Sequence, residues 1–186
     1  MTVAPSQALT LQKFLELSSI EESPAWEYIG GVAVQKPMEG GKHSTLQKHL
    51  VAAIDQAGDI YEAFPELRCT VGDRSVVPDI AVIAINQLPL DENGEIVSKG
   101  IEFAPNWVIE ILSPDQSQTR VTGNILHCLR HGSQLGWLID PKERSVLVYQ
   151  PDRLPDLLSG ADMLPSLEGM VLDLSVEQVF EWLRRR

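Results

Sequence analysis

Apolar residues recur along this chain in two rhythms, and each rhythm assigns elements. In "HSTLQKHLVAAIDQAG" (43–58), Leu46, Leu50, Ala53 and Ile54 fall at helical intervals and share one face of an amphipathic helix. Ser44 stands where it can cap the start, and Gly58 where it can end the run. A short helix is expected in "LQKFLEL" behind Thr10, and a longer one in "DQSQTRVTGNILHCLRHG", ended by Gly132. A last helix is expected in "SVEQVFEWLRRR", whose terminal cations suit the negative end of a helix dipole. "WEYIGGVAVQK" (26–36) alternates instead around Gly30-Gly31 and predicts a hairpin. "IYEAF" and "LRCTV" read as strands, and "VVPDIAVIAI" and "NWVIEIL" as buried strands rich in β-branched residues. "LGWLID" and "SVLVYQ" flank the turn "PKER" and predict a second hairpin. "PMEGGK" is loop, and residues 86–105 form a long polar connection of the functional or mobile kind. This order predicts an α/β or α+β fold with a mixed sheet covered on both faces. The length, 186 residues, predicts a single domain over 1–186.

Composition narrows the classes. A net charge of −11 and a pI of about 4.7 speak against a protein that coats DNA nonspecifically. An enzyme touching nucleic acid through a local basic patch stays open. No apolar run approaches the ~18 residues of a membrane span. The N-terminus lacks a basic stretch leading into an apolar one, so a cytoplasmic protein is expected. Cys69 and Cys128 alone build neither a disulfide framework nor a four-ligand zinc site, and read as buried free thiols.

Two acids interrupt the most apolar segments: Asp79 behind Pro78 in "VVPDIAVI", and Glu110 in "WVIEIL". A buried carboxylate is costly unless something pairs with it. Two of them on adjacent strands would share a hard divalent cation, Mg²⁺ or Mn²⁺. The other reading puts each at a strand end, in water or against an arginine. Elsewhere, His127 and His131 share a helical face, but "HCLRH" lacks the glutamate of a zincin and reads as two half-exposed imidazoles. His43 and His49 do not share a face, and Ser113 and Ser117 have no triad partner. There is no Walker A loop, no GxGxxG and no RNA-binding aromatic signature. Arg184, Arg185 and Arg186 complement the last helix's dipole.

In order along the chain, "VPDIAVI", "WVIEILSP" and "GWLIDP" resemble the signature of the Uma-two family. That family belongs to the restriction-endonuclease-like, PD-(D/E)xK nuclease superfamily. "WEYIGGVAV", "GGKHSTLQKHL" and "GMVLDLSVEQVF" add weaker likenesses, so the resemblance spans nearly the whole chain. It implies an α/β restriction-endonuclease-like core, a central mixed sheet flanked by helices. It also implies Mg²⁺- or Mn²⁺-dependent hydrolysis of DNA phosphodiester bonds by metal-activated water. Asp79 and Glu110 would be the metal ligands, with Glu27 beside them. A homodimer is implied too, since the superfamily often dimerises.

The resemblance fails at one point. A lysine usually stands two residues after the second acid, where this chain has Leu112, or on the following helix, where it has Asn124. Cys128 replaces an aromatic one turn later, and "GSQLGW" replaces "GVPEYW". Arg120, one turn before Asn124, could supply the missing charge, and so could Lys42. Otherwise both are solvated. The chain is therefore read as a nuclease with a modified site, in which Asn124→Lys should raise cleavage. The alternatives are a catalytically impaired nuclease-fold protein that binds DNA or a partner, and a pure interaction domain.

Overall fold

The computed structural model describes residues 9–97, 100–114 and 116–184. Its helices are α1 (Leu11–Leu15), α2 (Gly41–Asp55), α3 (Gln118–Arg130) and α4 (Val176–Glu181). Its strands are β1 (Trp26–Ile29), β2 (Val32–Gln35), β3 (Tyr61–Pro65), β4 (Cys69–Val71), β5 (Arg74–Val76), β6 (Ile80–Ala84), β7 (Trp107–Ile111), β8 (Leu135–Asp140), β9 (Ser145–Tyr149) and β10 (Asp156–Ser159). No described helix is long and apolar enough to cross a membrane.

A six-stranded mixed sheet runs β10-β9-β8-β7-β6-β3. Only β7 and β8 pair in parallel, and α3 makes the crossover such a pair requires. Side chains alternate across β7. Trp107, Ile109 and Ile111 join Leu46, Leu50, Ile54 and Phe180 in the core under α2 and α4. Val108 joins Val121 and Ile125 in the core under α3. Trp107 and Trp137 meet edge to face, centroids 4.5 Å apart, on the α2 side. The expected central mixed sheet between helices is therefore present.

A second sheet was not expected. The β1–β2 hairpin pairs through β1 with β5, giving a four-stranded sheet β2-β1-β5-β4. "VVPDIAVIAI" is accordingly not one strand. Val76 ends β5 opposite Cys69, and Ile80 begins β6 opposite Pro65 and Ile109. Proline cannot donate to a ladder, so at Val77-Pro78 the chain leaves one sheet and enters the other. Asp79 sits at that seam.

Helix ends also differ from the sequence pattern. α2 begins at Gly41 with Gly40 as its cap and stops at Asp55, so Ser44 lies inside its first turn and Gly58 beyond its end. α4 starts with a reciprocal capping box between Ser175 and Gln178. Arg184 pairs with Glu181 at 2.8 Å, while Arg185 and Arg186 lie outside the described residues. The long connection is tethered: Ile101 bridges Cys69, and Leu90 bridges Ile96. Cys69 and Cys128 are buried free thiols.

Candidate functional site

The antiparallel register of β6 and β7 sets Ile80 against Ile109. One step beyond that pair, continuing the register brings Asp79, just before β6, beside Glu110 on β7. Both are buried, at 1% and 3% exposure, so each needs a partner in the protein.

Asp79 has three. Lys36, just past β2, places Nζ 2.5 Å from Oδ1. The Ile111 N–H donates to Oδ2 at 2.7 Å. His43, in the first turn of α2, places Nε2 2.9 Å from Oδ2. Burial alone would raise this carboxyl's pKa, but Lys36 and His43 outweigh it and hold it down at about 2. Lys36 is itself buried and also donates to the Val77 carbonyl at 2.9 Å. Burial would discharge it, yet the charges of Asp79, Glu110 and Glu27 keep its pKa above the usual lysine value.

Glu110 has the opposite fate. Burial and the adjacent Asp79 charge drive its pKa well above the carboxylate range, and Lys36 only partly offsets them. Glu27, on β1, accepts from the Val77 N–H at 2.9 Å, and the Asn124 amide reaches both its oxygens at 3.4 Å. Burial again dominates and raises its pKa. Glu27, Lys36, Glu110 and Asn124 line one cavity, with Arg120 and Gln116 also on its wall. Asn124 is 4% exposed, and its Oδ1 has no hydrogen-bond partner among the described residues. An orphaned carbonyl oxygen beside two carboxyl groups is a hard oxygen donor set and fits a cation such as Mg²⁺ or Mn²⁺.

Glu39, His43 and Asp79 also present ligand atoms within 4.8 Å of one another. His43 has Nδ1 3.0 Å from Glu39 Oε2 as well as Nε2 on Asp79. Burial lowers its pKa, but the two carboxylates overcome this and bring it to about 9. Without a metal the two acids therefore favour the protonated imidazole, and an ion held by this trio would have to displace that proton.

Folding thus brings together four residues singled out from sequence: Asp79, Glu110, Glu27 and Asn124. Arg120 is exposed on the cavity wall, and Lys42 is exposed in the first turn of α2. Neither contacts Asp79 directly. Besides His43, the cation that does is Lys36, the last residue of the segment predicted as a hairpin and not singled out from sequence. His127 is buried rather than half-exposed. Its Nε2 lies 2.8 Å from the Val71 carbonyl and its ring 4.2 Å from that of His131.

The chain is similar to known proteins over nearly its whole length. The model of the Uma2 family, described as "Putative restriction endonuclease", matches residues 11–177. A crystal structure described as "a putative nuclease belonging to DUF820 from Anabaena variabilis ATCC 29413" is 49% identical and superposes with a TM-score of 0.88. The match covers 95% of this chain and 99% of that one. Among curated proteins nothing matches.

Proposed function

The chain belongs to the Uma2 family, and from that premise we propose that it is a nuclease that hydrolyses DNA phosphodiester bonds with Mg²⁺ or Mn²⁺ held by Asp79 and Glu110. The observation that carries this reading is the burial of two carboxyl groups, Asp79 and Glu110, at adjoining ends of the paired strands β6 and β7, with Glu110 lining a cavity where Asn124 leaves an unpaired oxygen. Bound there, the cation supplies Lewis-acid polarisation of the phosphodiester and acidifies an incoming water. The protein's part is preorganisation. His43 and the Ile111 N–H fix Asp79 Oδ2. Glu27 holds the Asn124 amide, which leaves the carbonyl oxygen free for the ligand. Arg120, on the same wall, is placed to meet a phosphate.

The test is cleavage of plasmid DNA in Mg²⁺ and in Mn²⁺, suppressed by EDTA, together with Mn²⁺ binding. Asp79→Ala should abolish both activities. Mn²⁺ affinity that survives in a folded Asp79→Ala protein would sink the site assignment. One observation favours the impaired reading: both oxygens of Asp79 are already engaged by protein donors. On that reading the protein binds DNA or a partner, and no divalent cation elicits cleavage.

A further inference from the structure

We propose that Lys36 supplies, from beyond the end of β2 on the wall of the same cavity, the positive charge that the family pattern expects at position 124. The inference rests on the proposed nuclease site and assigns it a residue that the pattern does not.

Four observations converge. Lys36 is the one buried lysine among the described residues. Its ammonium contacts Asp79 directly. It lines the same cavity as Glu110, Glu27 and Asn124. And Asn124 occupies the helix position without a charge, its amide spent on Glu27. Lys36 comes from the end of β2 and Asn124 from α3, so the two side chains approach the acids from different elements. Phosphodiester hydrolysis builds negative charge on the phosphoryl oxygens, and a preorganised cation in a dry site stabilises it from either wall. The relocation is also electrostatically self-consistent. A lysine at 124 beside Lys36 would set two buried ammonium groups in one cavity, whereas asparagine there satisfies Glu27 without a second charge. Asn124→Lys alone therefore yields little gain, unlike the expectation from sequence.

Because Lys36 lies against Asp79, its charge must also be felt by an incoming cation, which gives a readout independent of turnover. The experiment compares the full-length protein with Lys36→Met and with Lys36→Met/Asn124→Lys. It measures Mn²⁺ isotherms, thermal midpoints and plasmid cleavage. Removing the ammonium should tighten Mn²⁺ binding by roughly tenfold or more, and returning a charge at 124 should reverse most of that gain. Cleavage should fall by roughly a hundredfold or more in Lys36→Met and recover at least part of that loss in the double variant. The double variant keeps the cavity's charge count, so it also guards against simple misfolding of the single one. Three unchanged isotherms in folded proteins, or a double variant that behaves like Lys36→Met in both readouts, would overturn the assignment. If the wild-type protein cleaves nothing, the proposed function fails, and the isotherms still decide the role of Lys36.

Discussion

At the scale of single residues, Asp79 and Glu110 face each other yet titrate in opposite directions, and their replacements should differ accordingly. Asp79 is held ionised by Lys36 and His43, so its stabilisation is present above the unfolded aspartate value and is lost as the pH falls toward about 2. Asp79→Asn leaves a buried ammonium without its partner and should destabilise the metal-free protein by about 3 kcal/mol. Glu110, raised by burial and by Asp79, binds its proton more tightly folded than unfolded. Its contribution falls as the pH rises above the unfolded glutamate value. Glu110→Gln should therefore flatten the loss of stability as the pH rises above the unfolded glutamate value in urea titrations; an unchanged slope would show that the carboxyl is not desolvated. His43 adds a separate window. Its folded pKa of about 9 lies above the unfolded value, so its stabilisation is complete below pH 6.5 and disappears as the pH rises through 9. His43→Gln should remove that upper window, on the order of 2 kcal/mol after allowance for partial solvent screening.

At the scale of elements, the position of α3 decides whether Asn124 and Arg120 reach the acids, and that position depends on Gly136 in β8. A Cβ there would lie 2.4 Å from Ile125 Cγ2. Gly136→Ala must push α3 away from the sheet, at a cost of roughly 1–3 kcal/mol. Weakened Mn²⁺ binding should accompany the lower thermal midpoint. A midpoint shift with an intact isotherm would mean that α3 does not support the site. The same scale explains what the sequence disclosed. Strands β6 and β7 were legible because runs such as "IAVIA" and "WVIEI" admit little else, and a carboxylate inside such a run is conspicuous. The split at Pro78 was less legible, because both halves are apolar and only pairing partners separate them. Lys36 was invisible as a site residue. At the end of an alternating strand before Pro37 it resembles a solvated terminus, and its partners, the Val77 carbonyl and Asp79, come from the β5–β6 connection some forty residues away. The signal available was arithmetic: buried acids at 27, 79 and 110 demanded a cation that the expected position did not hold.

At the scale of the whole molecule, two expectations follow. The two sheets are joined at Val77–Asp79, where Lys36 holds the Val77 carbonyl and Asp79, and again between β3 and β4, where Arg68 sits. Arg68 holds Glu21 at 2.6 Å, the Ile20 and Trp26 carbonyls, and Ser75. We propose on this basis that the chain unfolds as one unit, with equal calorimetric and van't Hoff enthalpies; two separate transitions would refute it. The second expectation concerns DNA. With 26 acidic against 15 basic residues, the protein's overall field repels a polyanion, and the basic residues on the cavity wall are Lys36 and Arg120. Affinity for duplex DNA should then depend on a divalent cation in the cavity more than on surface charge. A protein making 6–10 phosphate contacts loses roughly 10³–10⁵ in affinity between 50 and 200 mM salt. Here the loss in stopped-flow anisotropy should stay within about tenfold, corresponding to one or two contacts, and binding should largely vanish in EDTA. A steep salt dependence that survives EDTA would point to an extended basic surface, and would move the site of DNA engagement away from Asp79 and Glu110.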